Sequence, residues 1–160
     1  MSKVEQRMKE LGFELPEPWR LPGEFAFVGA LVHENRAYIS GSMPFVNSTF
    51  GDLPYTGKVG DTVTIEQGQE LARLCIINSL AALKEEIGTL DKIERILMVK
   101  GYIASATGFT DQHIVLNGAS DFLKDVFGEN GIHARTAAGV TSMPMNTPIE
   151  VEMIIALKGD

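Results

Sequence analysis

Two stretches with apolar residues at helical spacing stand between strand-like segments, and this alternation limits the chain to a narrow set of folds. Over 64–88, Ala72, Ile76, Leu80, Leu83 and Ile87 recur three and four residues apart. Cys75 and Ser79 lie beside that stripe, and Gly88 stops it. Thr64 with Gln67 reads as a capping box at its start. A second helix opens at Thr110 and Asp111, with Val115, Ala119, Phe122 and Val126 on its buried face and Gly128 after it. Strands over Phe25–Val32 and Ala37–Ile39 meet at the turn Glu34-Asn35-Arg36. Strands over Ile93–Ser105, His133–Ser142 and Ile149–Leu157 complete a β-β-α-β-α-β-β order. Ahead of it, Ser2 and Glu5 cap a short helix with Val4, Met8 and Leu11 on one face and Gly12 as its end. Residues 13–23, with Pro16, Pro18, Trp19 and Pro22, form an extended lead-in, and 45–62 is a long loop. A single domain over 1–160 is expected.

Strands separated by a helix tend to lie parallel and strands joined by short turns antiparallel, so the sheet should be mixed. Two helices with one apolar face each can cover only one side of it. On the last strand, Ile149, Val151, Met153 and Ile155 face one way, and Glu150, Glu152, Ile154 and Ala156 the other. The second face carries little charge and has no cover within one chain, which predicts an oligomer. A turn with Pro144 and Pro148 joins the last two strands. If it centres near Asn146, a hairpin sets Glu150 opposite Ser142 and Arg135 opposite Leu157. Arg135 and Glu150 would then lie roughly 23 Å apart at about 3.3 Å per residue, too far for one chain to present both to a small molecule.

Composition excludes several classes. Lys and Arg number 14 against 21 Asp and Glu, a formal net charge of −7, the reverse of what binds phosphate backbones. The single cysteine, Cys75, allows neither an intrachain disulfide nor a thiolate metal site, and its place in the helical stripe marks a buried structural thiol. His33, His113 and His133 show no metal-ligand spacing, so no metal is expected. The N-terminus is charged without the apolar core of a signal peptide, and no stretch is apolar enough to span a membrane; a cytoplasmic location is the expectation.

Among residues that could carry chemistry, Arg135 is the only charge in the strand His-Ala-Arg-Thr-Ala-Ala-Gly-Val. Ala137 and Gly139 leave space on its face. A guanidinium with room beside it suits a carboxylate or phosphate held by two bonds; a salt bridge to Glu150 or Glu152 is the competing reading. Glu150 and Glu152 share one face of the last strand, where a half-buried carboxylate could hold a water or act as a general base, or both could simply face solvent. Ser40-Gly41 at a strand end could present backbone groups to a ligand or form a plain turn. Asn117 lies on the second helix beside Gln112, His113 and Asp121. No phosphate loop, dinucleotide fingerprint or nucleophile elbow is present.

The segments Ile-Ser-Gly-Ser-Met-Pro (39–44), Asn117 on its helix, His-Ala-Arg-Thr-Ala-Ala (133–138) and Ser-Met-Pro followed by Ile-Glu-Val-Glu (142–152) together resemble the Rid/YjgF family. These are the reactive intermediate deaminases, some known by the older name L-PSP endoribonucleases. The leading helix, the 45–62 loop and Tyr55-Thr56-Gly57-Lys58 are similar to a longer branch of that family. The resemblance implies an α+β, chorismate-mutase-like fold: a mixed sheet with two helices on one face, in homotrimers with clefts between subunits. It implies that Arg135 binds a substrate carboxylate, Glu150 positions the attacking water, Ser40 and Gly41 line the site, and Asn117 supports it. A tyrosine of many active members falls on Phe27, and a cysteine two residues after the arginine falls on Ala137.

The expected activity is hydrolysis of reactive enamines or imines to 2-oxo acids and ammonia, with no metal or organic cofactor and a small carboxylate-bearing substrate as partner. A carboxylate-binding trimer without catalysis is the alternative that Phe27 favours. RNA cleavage is a third reading, which the acidic balance and the lack of a His/Lys cluster oppose.

Overall fold

The computed structural model describes residues 1–20 and 23–159, so Pro22 of the lead-in lies outside the described residues. Three α-helices and a five-stranded sheet make a mixed α+β fold. Helix α1 (Lys3–Glu10) is started by Ser2, whose Oγ accepts from Glu5 N at 3.1 Å, while Glu5 Oε2 accepts from Ser2 N at 2.8 Å. Helix α2 (Ile65–Ile87) begins on the reciprocal Thr64–Gln67 bonds and ends at Gly88. Helix α3 (Gln112–Phe127) follows Asp111, which makes no side-chain cap bond, and ends at Gly128. The expected stripes are buried on α2 and α3. The two helices approach so closely at Gly118 that a Cβ there would overlap the Gln69 carbonyl.

The strands are β1 (Ala30–His33), β2 (Arg36–Ser42), β3 (Ile93–Ala104), β4 (Ala134–Val140) and β5 (Ile149–Leu157), in the order β1-β2-β5-β3-β4. Only β3 and β4 run parallel. Helices α2 and α3 pack together and on the same face of the sheet. There they bury Ile96, Val99, Ile103, Val151, Met153 and Ile155. Among the described residues nothing covers the opposite face. Leu31 and its cross-strand partner Tyr38 lie on it, exposed at 57% and 41%. Lys100 and Glu152 also face that side and form an ion pair at 2.7 Å.

Two expectations need correction. The first strand starts at Ala30, not Phe25, and Phe25, Phe27 and Val28 are exposed. The β1–β2 ladder ends at Ala30↔Ile39, and beyond it, among the described residues, the segment keeps two bonds to Ser40. Ser40 N donates to Gly29 O at 3.0 Å, and Ser40 Oγ donates to Val28 O at 2.6 Å.

The second correction concerns the last two strands, which are not a hairpin: β3 lies between them. The crossover through α3 sets β4 beside β3 in parallel, on the edge away from β5. The connection 141–148 then passes the end of β3, where Ala104 N donates to Pro148 O at 2.9 Å. Met145 and Asn146 adopt positive φ, 54° and 58°, in making that turn.

Candidate functional site

The residues singled out from the sequence fall into two groups at different places on the sheet. Arg135 and Ala137 on β4 lie beside α3, which carries Asn117. Arg135 is opposite Val99, which is opposite Met153, both buried under the helices, so it belongs to the helix-covered face. Glu150 is opposite Tyr102 and Tyr102 opposite Ala138, on the other face. Within one chain the two groups are thus two strands apart, about 10 Å, three residues apart along the strands, about 10 Å more, and on opposite sides of the sheet. This geometry replaces the 23 Å hairpin separation. It still prevents one chain from offering both side chains to one small molecule.

Arg135 is exposed yet held. Its Nη1 donates to Ser120 Oγ at 3.1 Å and its Nη2 to His113 O at 3.0 Å. Asn117 lies between those two positions on the same stripe of α3, four residues after His113 and three before Ser120. Neither Glu150 nor Glu152 pairs with the guanidinium, and Glu152 is taken by Lys100. The salt-bridge reading of Arg135 is therefore set aside. A guanidinium has five N–H groups, and two bonds to α3 leave three for a ligand.

The second group gathers at the end of β2. A register shift between β2 and β5 falls there, and a Cβ on Gly41 would overlap Glu150 Oε1, while Ser40 Oγ is turned to Val28 O. Only glycine leaves the carboxylate its place. Burial, and then the charge of Glu152, raise the Glu150 carboxyl above its ordinary range. Among the described residues no side chain donates a hydrogen bond or an ion pair to it.

Beside this group lies a cleft of ≈ 300 Å³ between the lead-in, the β1 and β2 ends and α2, lined by Trp19, Phe27, Ser40, Gly41 and Ser79 among others. Trp19 is fixed edge-on to Phe45 at 5.1 Å between ring centroids. Phe27 packs its ring on Phe25 and exposes 53% of its surface. Cys75 is buried in the α2 stripe, and burial pushes its thiol up, which keeps it protonated and inert. No three His, Cys, Asp or Glu side chains among the described residues gather as metal ligands would, and no described helix is long and apolar enough to cross a membrane.

Sequence reasoning missed Ser120 and His133. His133 Nε2 lies 3.0 Å from Ser120 Oγ, so the histidine joins the Arg135 cluster through the serine. Two signals could have found them: His133 stands two residues before Arg135, and Ser120 continues the His113–Asn117 stripe one turn on.

A family model described as "YjgF/chorismate_mutase-like, putative endoribonuclease" matches residues 5–157. Among proteins similar to this chain, Protein TCP17 of Trypanosoma cruzi is 32% identical over 157 residues, covering 98% of this chain and 95% of that protein. The solved structure of the protein Atu1372 "with unknown function" from Agrobacterium tumefaciens superposes with a TM-score of 0.87 at 37% identity, over 97% of this chain and 94% of that one. A structure named as a putative endoribonuclease from Shewanella oneidensis MR-1 also gives a TM-score of 0.87, at 29% identity over 96% and 99% of the two chains.

Proposed function

This chain belongs to the YjgF/chorismate-mutase-like family, and we propose that it hydrolyses reactive enamines and imines of amino-acid origin to 2-oxo acids and ammonia. The observation that carries this reading is Arg135, an exposed guanidinium with two bonds to α3 and no acidic partner among the described residues. Such a fork suits a carboxylate bound in bidentate fashion. Glu150 supplies the second function. With its carboxyl raised by burial, it takes a proton from a water molecule that adds to the C=N carbon. It returns that proton to nitrogen to give a carbinolamine, then carries the hydroxyl proton to nitrogen as well. The C–N bond breaks, ammonia leaves and the C=O bond forms; an enamine enters the same route after tautomerising to its imine. Imine hydrolysis is chemically easy, so orientation and one proton carrier suffice.

In this reading the two groups meet between copies of the chain. The Arg135 and Asn117 group of one subunit faces the Phe27, Ser40, Gly41 and Glu150 group of the next, and the ring closes as a homotrimer. The opposite-face placement of Arg135 and Glu150 supports it, as does the uncovered Leu31–Tyr38 surface.

Release of 2-oxo acid from imines generated in situ, coupled to a dehydrogenase, tests the assignment. Arg135→Ala and Glu150→Gln should each lose activity by about two orders of magnitude or more. Refolding the two variants together should restore part of it, because mixed trimers contain an interface with both residues intact. Equal release by wild type and Arg135→Ala would remove the deaminase reading. No recovery in mixed trimers verified by mass spectrometry would remove the shared site.

A second reading has its own observation. The Phe27 ring offers no hydroxyl to a water or a proton, which favours a trimer that binds a carboxylate ligand without turnover. Saturable binding of a 2-oxo acid, with no release from any imine, would select it. The endoribonuclease in the family's description fits this chain less well, since a net charge of −7 opposes phosphate binding.

A further inference from the structure

Behind Arg135, a chain of directed hydrogen bonds runs through Ser120 and His133 to the Gly131 carbonyl. His133 Nδ1 lies 2.6 Å from Gly131 O, and a carbonyl oxygen only accepts, so Nδ1 carries the ring proton. In the neutral ring Nε2 is then the acceptor, and the Ser120 hydroxyl, 3.0 Å away, donates to it. With its proton directed at the ring, Ser120 Oγ presents lone pairs to Arg135 Nη1, which donates at 3.1 Å. The other fork nitrogen is fixed by His113 O at 3.0 Å. The opposite tautomer would set the Nδ1 lone pair against the Gly131 oxygen, so in the neutral ring each bond in the series has one permitted direction.

We propose that Ser120 and His133 are positioning residues that hold the Arg135 guanidinium in a single orientation ready for a ligand carboxylate. The proposal rests on the reading of Arg135 as the carboxylate clamp. An exposed arginine is ordinarily free among many rotamers, and a ligand that immobilises it loses affinity by that amount. Here the α3 side of the fork is ordered in the chain itself, so the ligand meets the three remaining N–H groups already aimed. The neutral ring that the chain of bonds requires is favoured by burial and by the Arg135 charge, both of which lower the His133 pKa. Ser120 and His133 need not touch the ligand; they act through Arg135.

Calorimetric binding of 2-oxobutanoate to the full chain tests this, with Arg135→Ala as reference. Ser120→Ala and His133→Ala should each weaken binding about tenfold, the effect of one charge-assisted hydrogen bond. The double variant should be no weaker than either single one, since the residues act in series. Ser120→Thr, which keeps the hydroxyl, should bind like wild type. Nitrogen-15 NMR of the wild-type ring should place its proton on Nδ1, a readout independent of binding and of any variant's folding. A proton on Nε2, or Ser120→Ala binding within twofold of wild type while Arg135→Ala does not bind, would overturn the relay and leave the clamp standing. If wild type and Arg135→Ala bind the probe equally, the clamp fails and the relay falls with it.

Discussion

The two edges of the sheet are built differently. At the β4 edge, Ser120 and the His113 carbonyl hold the Arg135 guanidinium, and His133 and the Gly131 carbonyl back the serine, all within the chain, with three Arg135 N–H groups left over. At the β1 edge, Phe25, Phe27, Val28 and Leu31 are exposed, and two strands in from it Glu150, on the central strand β5, has no hydrogen-bond donor among the described residues. At one edge the chain's own hydrogen bonds fix the charged group in place, while the other presents apolar surface still to be matched, with the raised Glu150 carboxyl two strands inward of it. In the trimer proposed above, the held positive edge of one copy would meet the unmatched apolar edge of the next in a heterologous contact.

Breaking the unmatched edge should have the largest effect. Leu31→Asp places a charge in the uncovered patch, next to Tyr38 across the strand pair. Light scattering should report three times the chain mass for wild type and a smaller species, with no activity, for the variant. The β4 edge should survive, with the His133 tautomer unchanged. A wild-type chain that runs as a monodisperse monomer would end the complementary-edge account.

A smaller effect separates the two edges by pH. Glu150 is raised in the folded chain, so its neutral form is favoured by folding and its ionised form opposed. As a base it works only when ionised, so activity should fall as pH drops through a midpoint above the ordinary carboxylate value. Stability carries the opposite sign. Below the unfolded-state pKa the group is neutral in both states and contributes nothing; as pH rises through the raised folded value, it destabilises the fold. Glu150→Gln should therefore melt at a higher temperature than wild type near neutral pH, and the gain should vanish in acid. A gain that persists at low pH would mean that packing, not charge, sets the difference.

The sequence made the finished parts of the molecule legible and the unfinished parts obscure. Helices α2 and α3 and strand β5 were readable because their periodicity and caps are local, and their partners lie within the chain. The 25–29 segment reads as strand because Phe25, Phe27 and Val28 are good strand residues, but a strand needs a ladder, and the pairing with β2 ends at Ala30. The β4–β5 hairpin was misread because a short connection suggests adjacency, whereas β3 had already taken the place between them. At the site, Arg135 announced itself as a lone charge among small residues. Ser120 and His133 are fainter: their spacing to Arg135 and Asn117 is in the sequence, but what joins them is α3 packing on β4, which that spacing alone does not encode.

The smallest predicted effect sharpens the comparison from the side of α1, which braces the held edge. Arg7 Nε donates to Asp125 O of α3 at 3.1 Å, and Phe13 stacks edge-on to Phe122 at 5.2 Å. The helix is tied to α2 through Glu5, which receives Lys84 Nζ at 2.7 Å while closing the Ser2 capping box. The Lys84 hydrogen bond, then the Ser2 backbone bond, hold the Glu5 carboxyl down at about 2 against an ordinary value of 4.5. A depressed folded-state carboxylate contributes stability that is present above its unfolded pKa and lost as pH falls toward the folded value. Glu5→Gln should therefore lower the melting temperature by a few degrees, about 2–4 °C, near neutral pH. The difference should shrink between the two values and close near the lower one. Binding of a carboxylate probe at Arg135 should not change, because the Ser120–His133 bonds fix that guanidinium without help from α1. If probe binding falls with the melting temperature, the β4 edge depends on its brace and is less complete than its hydrogen bonds suggest.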